Sequence, residues 1–387
     1  MDKNKDSFEM EESYKKRTDK RDKKRKKINV IKIIFIIVLI GLASFFGYKA
    51  FNEILSNRNK NGDTISYTSA AQSKSSFFKN FLVTITIDGV KIINQSGIDV
   101  LEDVCLEVST YIKGMTEPVF VSNNKIMLIY DISGRTAVLF SDNGIIKAIN
   151  FNNDIIKAKM SDSGQFVFIT KDAAMKAAVR VFNNDGNELF SWYSGTGYVV
   201  DAQLSNTKNV LAVLTNEVIE SRISSKVLFF TFDNPEPYMG KVIGEKVANY
   251  ISFFGDASYI VCEDCLYYID SDGYIDKVVD FGKRKLEFFK SFKDGSFMLC
   301  YDASDGKYNV SVYNKKGKET GNFLMDSFLS IADVSEDEFL VLKRKSVVSV
   351  NKKGKIKREI DCAFDVKNAC YYKDKIAVLS PDSIILY

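Results

Sequence analysis

An all-β fold of repeated four-stranded sheets is what the sequence predicts, and three observations predict it. The 387 residues include 29 Phe and 19 Tyr beside a single Trp, the aromatic usage of strand-rich packing. A turn pattern returns at intervals near 40 residues, the length one sheet of four short strands requires. Apolar residues make up 45% and charged residues 27% of the chain, a globular composition with length enough to bury a large core.

The first 63 residues differ from the rest. The net charge is +4, yet residues 1–27 alone hold 12 Lys and Arg against 7 Asp and Glu. Residues 1–29 read as a disordered basic tail. From Ile33 to Tyr48 the chain runs IIFIIVLIGLASFFGY, sixteen residues without a charge. At 1.5 Å per residue that run covers about 24 Å of a hydrocarbon layer of roughly 30 Å. Flanking residues therefore complete a transmembrane helix over residues 30–51, with Lys32 and Lys49 reaching toward the two interfaces. Basic flanks stay in the cytoplasm, so the expectation is a single-pass protein of the cell membrane. Its N-terminus is cytoplasmic, its C-terminal domain is extracytoplasmic, and the lipid bilayer is the partner of residues 30–51. A nucleic-acid arm is set aside because the basic run leads directly into this span, and no nucleic-acid partner is expected. A cleaved signal is set aside because Tyr48 stands where a small residue is needed. Residues 52–63 are polar and suit a tether, leaving residues 64–387 as the folded part.

Within that part, a short apolar run followed by Asn or Asp, two polar residues and Gly recurs. It is seen at 94–97, 183–186, 270–273, 314–317 and 351–354, with 141–144 as a variant. Each reads as a hairpin turn with Gly at the position needing positive φ. The glycines stand 47, 42, 87, 44 and 37 residues apart, and the interval of 87 is two periods. A second frame of turns, such as Ser161 to Gly164 before FVFIT and Lys293 to Gly295 before SFMLC, is offset from the first. Two hairpin frames per unit give four strands per unit, the signature of propeller blades. Counting third strands predicts a β-propeller of eight four-stranded blades, with seven as the alternative. The chain stops at the third strand of its last unit, and TISYT at 64–68 is placed to supply the missing strand and close the ring.

The basic tail, single apolar span, polar tether and His-free, Trp-poor blades with the apolar-Asn-x-x-Gly turn resemble an uncharacterised family. It comprises single-pass, membrane-anchored β-propeller proteins of Gram-positive bacteria and is known as a domain of unknown function. The resemblance covers nearly the whole chain and implies location and fold. It brings no activity, cofactor or catalytic residue with it.

Histidine is absent, which removes His-based acid–base catalysis, Ser-His-Asp and Cys-His pairs and His metal ligands. Six cysteines, at 105, 262, 265, 300, 362 and 370, are read as mostly unpaired, and the C-x-x-C at 262–265 as a weak zinc or redox signal. Asp270, Asp272 and Asp276 lack the remainder of a calcium loop, and Glu263 with Asp264 lacks a positioned partner for glycoside chemistry. No catalytic, cofactor-binding or metal site is assigned, and no cofactor is expected.

The expected function is that of a non-catalytic, membrane-anchored binding or scaffold module outside the cytoplasmic membrane. Its partner is an unknown envelope protein or polymer. The alternative is an extracytoplasmic, carboxylate-based lyase or hydrolase on a cell-envelope polymer. The candidate partner-binding loop is the longest connection between second and third strands, Thr215 to Lys226, which carries Glu217, Glu220, Arg222 and Lys226. Loops that vary between similar repeats are where recognition concentrates.

Overall fold

The computed structural model describes residues 63–66, 74–78, 81–86, 89–93, 101–123, 125–303, 306–335, 337–372, 375–380 and 383–387. The expected tail and span, and the tether up to residue 62, lie outside the described residues. No helix among the described residues is long and apolar enough to cross a membrane.

Seven four-stranded antiparallel blades and one three-stranded sheet make up the described fold. Six blades are continuous in sequence: residues 118–150, 155–194, 198–244, 248–280, 286–325 and 330–361, here blades 1 to 6. Blade 7 is made of Asn368–Tyr372, Lys375–Leu379 and Ser383–Leu386, completed by Asp63–Ser66 from the other end of the chain. Complete four-stranded blades thus number seven, the alternative count, not eight. The repeat that falls short is the first, Lys74–Phe78, Phe81–Thr86 and Gly89–Ile93. An outer strand was expected there, but helix α1, Glu102–Ile112, follows and packs beside Gly89–Ile93. Its Val108 and Ile112 share a core with Val83 of that sheet and with Met127, Ile129, Val138 and Phe140 of blade 1. Leu101, Val104, Cys105, Val108 and Ile112 stand at helical spacing, and a residue set with period 3.6 cannot present one face as a strand.

Burial explains the strand order. The second strand of a blade is covered on both faces by the neighbouring sheets, so it reads as an unbroken apolar run rather than an alternating one. Met127–Asp131 and Phe166–Thr170 are buried at every position. The outermost strands alternate, as in Ile356–Asp361. Between blades 2 and 3 the core is Val167, Ile169, Val179, Val181 and Phe190 against Leu211, Val213, Leu228 and Phe230. Between blades 4 and 5 it is aromatic, with Phe254 stacked on Tyr259 at 4.4 Å and Tyr259 edge-on to Phe297 at 4.9 Å.

The recurring Asn-x-x-Gly turns have one construction. In blade 5 the Asn314 side-chain oxygen accepts from the amides of Lys316 and Lys318 at 3.0 and 3.1 Å. The Gly317 amide closes onto the Asn314 carbonyl at 2.9 Å, with Gly317 at φ +75°. The register steps by one residue beside the turn, between Val312 and Tyr313. This is a type I turn closed by a bulge whose left-handed residue is glycine. Asn183, Asp270 and Asn351 repeat the same pair of side-chain bonds.

Turns between first and second strands are tied to one another from blade to blade, and so share one face of the ring. Asn206 receives the Asp162 amide at 2.9 Å, and Thr207 donates to Asp256 at 2.8 Å. The turns between third and fourth strands belong to that face by the up-and-down order of strands. Connections between second and third strands, and those between blades, lie on the opposite face.

Candidate binding face

The segment expected to be the partner-binding loop is not a loop. Val210–Ile219 and Arg222–Thr231 are ten-residue strands paired from Val210 with Thr231 out to Ile219 with Arg222. The only unpaired residues are Glu220 and Ser221, at φ +49° and +66°, the two left-handed positions of a type I′ turn, whose twist matches that of the strands it joins. The sequence carried no glycine to announce it.

This hairpin outruns its own blade. The first strand reaches only to Tyr198, opposite Asn216, and the fourth only to Gly244, opposite Ser225. Residues 217–224 therefore stand as a two-stranded ribbon with both edges open. The base is anchored by a short network. Ser225 shares its one hydroxyl proton between Asn216, at 2.7 Å, and the Lys246 carbonyl, and accepts from the Ala248 amide at 2.9 Å. Asn216 in turn donates to the Ala248 carbonyl at 3.1 Å.

Of the candidate residues, Glu217 is half-buried and Glu220, Arg222 and Lys226 are exposed. Arg222 pairs with Glu245 at 2.8 Å, both largely in solvent, where such a pair contributes little. The larger feature is apolar and was missed in the sequence. Val218 is 65% exposed, Ile219 51% and Ile223 42%, and Met175, Tyr193, Tyr198 and Val242 of blades 2 and 3 are exposed too. The polar residues interleaved from Glu217 to Ser224 hid this, because they make the segment read as a loop.

A second cluster sits on the first strands of blades 2 to 4, around the ring axis. Asp201 is fully buried and binds Lys157 at 2.8 Å and Lys159 at 2.5 Å. It also accepts from the Ile251 amide at 3.0 Å. Lys159 lies 4.1 Å from the centre of the Tyr250 ring, a cation–π contact. Burial pulls the Lys159 ammonium down to about 8, against the opposing pull of Asp201. Asp333 on blade 6 is built alike, accepting from the Tyr371 amide of blade 7 at 2.8 Å, and burial raises its carboxyl. Both carboxylates follow a register step in the first strand, at Val200 and at Ala332. The bulge re-aims the side chain toward the next blade. These carboxylates latch blades together, each with its oxygens already engaged.

Glu263 and Asp264 are the tight turn between Ala257–Cys262 and Cys265–Ile269, with Asp264 paired to Lys246. Asp270 spends its side chain on the amides of Asp272 and Tyr274. Cys262, Cys265, Cys300 and Cys362 are buried and not in disulfides. Burial pushes Cys300 up to about 12 and Cys362 to about 11, making them inert apolar groups at neutral pH. Among the described residues, no group of three Cys, Asp or Glu is placed to hold a metal ion.

Fold and surfaces together define a β-propeller that carries an apolar hairpin beyond the plane of its blades. The chain belongs to the Family of unknown function (DUF5711), whose model matches residues 56–385. No curated protein matches it. Among solved structures it is similar to the computationally designed Ika8 protein, with 13% identity and a TM-score of 0.62 over 84% of this chain and 100% of that one. It is also similar to a eukaryotic initiation factor, with 11% identity and a TM-score of 0.54 over 81% of this chain and 83% of that one. At such identities the likeness is one of fold.

Proposed function

We propose that this protein is a non-catalytic binding module, anchored in the cell membrane by residues 30–51 with its propeller outside, and that the blade-3 hairpin seats a partner protein of the envelope. The anchoring rests on the sixteen-residue uncharged run and the basic residues before it. The observation that carries the binding role is the ribbon at 217–224, which exposes Val218, Ile219 and Ile223. Apolar side chains grouped on a projecting element mark an interaction site. Open strand edges on the same ribbon offer backbone pairing to an extended segment.

A photo-reactive residue at Val218 or Ile223, activated in intact cells, is expected to give a discrete cross-linked species, while one at Asn143 on the opposite face gives none. Replacing residues 217–224 with Asn-Gly should abolish recovery of that species and leave thermal stability nearly unchanged, because Asn216 and Ser225 are spared. Unchanged recovery would reject the hairpin. Protease added to intact cells should degrade residues beyond 63, and full protection of the propeller would reject the topology.

A further inference from the structure

The turns between third and fourth strands, four of them alike in build, are unlike in charge. Blade 1 carries Asp142 there, blade 2 Asp185, blade 3 Asp233 and Glu236, and blade 4 Asp270 and Asp272. Blades 5 and 6 instead carry one identical run, Asn-Lys-Lys-Gly-Lys, at 314–318 and 351–355. Lys315, Lys316, Lys318, Lys353 and Lys355 are exposed. Lys352 is paired to Asp294 at 2.9 Å. The second turn lies against the start of blade 5's fourth strand, just beyond the first turn: Thr320, two residues past it, donates to the Lys352 carbonyl at 3.3 Å. A Cβ on Gly321 would sit 2.2 Å from the Lys353 carbonyl carbon. Five exposed ammonium groups are thus held in one patch by two rigid turns.

The same face receives the chain from outside the described residues. Asp63 pairs with Leu386 and Ser66 with Ser383, so the entering strand starts at the short-turn face of blade 7, next to blade 6. Only residues 52–62 separate it from the proposed span. That length reaches at most about 38 Å fully extended. On the proposed anchoring this length is the upper bound on the distance from the span to the entry point on this face, and anionic headgroups attract basic clusters that come within a Debye length of about 8 Å.

We propose that the paired Asn-Lys-Lys-Gly-Lys turns dock the propeller on anionic lipid headgroups, holding the short-turn face of blades 5 and 6 against the bilayer and the blade-3 hairpin away from it. This rests on the proposed anchoring through residues 30–51. The test uses the full chain incorporated into phosphatidylcholine vesicles with and without a 30% admixture (roughly the anionic fraction that gives a substantial surface potential) of phosphatidylglycerol. Lysine acetylation is then read by mass spectrometry. Lys315, Lys316, Lys318, Lys353 and Lys355 should be acetylated several-fold more slowly on the anionic vesicles, with protection lost in high salt and Lys171 and Lys176 on the opposite face unaffected. A chain with K315Q, K316Q, K353Q and K355Q should show no lipid-dependent protection at Lys318.

Flotation separates the two readings. A chain that floats with both vesicle types but is acetylated equally on both overturns the docking alone. One that floats only with anionic vesicles supports docking and rejects the anchor, and one that floats with neither overturns both. Protection by inorganic polyphosphate in place of anionic vesicles would assign the patch to a soluble polyanion and overturn the lipid assignment.

Discussion

Asp201 is the side chain on which most depends. It is buried, it neutralises two lysines of blade 2 and it accepts an amide of blade 4, so three blades meet at one carboxylate. Removing one partner of such a group leaves charge buried without compensation, at about 3–5 kcal/mol. Asp201→Asn keeps the shape and is expected to lower the unfolding free energy measured in urea by an amount in that range, with the fold retained; a change within error would show the lysines to be solvated. The second expectation concerns Lys159, facing Asp201, Lys157 and Tyr250. Its folded value near 8 lies below the ordinary 10.5, so between those pH values the unfolded chain binds more protons and stability gained from this group rises with pH. Below pH 8 the penalty is constant. Lys159→Met should lack that rise, so the unfolding free energy of the parent should increase relative to that of the variant from pH 8 toward pH 10.5. A difference independent of pH over that window would refute it.

Among elements, the contact between blades 5 and 6 is the most constrained. Gly321 has a neighbouring backbone where its Cβ would be, and backbone cannot swing aside as a side-chain end can. Gly321→Ala should therefore cost about 1–3 kcal/mol through overpacking, read as a lowered thermal midpoint. The same substitution at Gly114, which has open space around it, should be nearly neutral. Legibility in the sequence followed from how locally each element is determined. The Asn-x-x-Gly turns were readable because one side chain and one glycine specify them. The second strands were readable because burial on both faces leaves unbroken apolar runs. The blade-3 hairpin was not, because Glu220 and Ser221 adopt left-handed φ without a glycine, and polar residues between Thr215 and Lys226 mimic a loop. Helix α1 was missed, although Leu101, Val104, Cys105, Val108 and Ile112 stand at helical spacing, because a blade of four strands leaves no place for a helix there. Asp201 and Asp333 gave no signal, since their roles depend on bulges that bring neighbouring blades into reach.

For the molecule as a whole, closure is the decisive event. Blade 7 takes its outermost strand from Asp63–Ser66, and without it Ser383–Leu386 becomes an open edge, a template for pairing with another chain. A chain starting at residue 67 is expected to self-associate in sedimentation and to unfold at a lower temperature than one starting at residue 52. Identical behaviour of the two would show the clasp to be dispensable. The clasp also imposes a timetable. Its two halves are made first and last, some 320 residues apart, which at 5–20 residues per second means a wait of roughly 16–64 seconds. Throughout that interval the early strand has no mate. Its brevity and its polar composition, Asp-Thr-Ile-Ser, are what an unmated strand needs to stay out of wrong pairings while the rest of the ring is still being made.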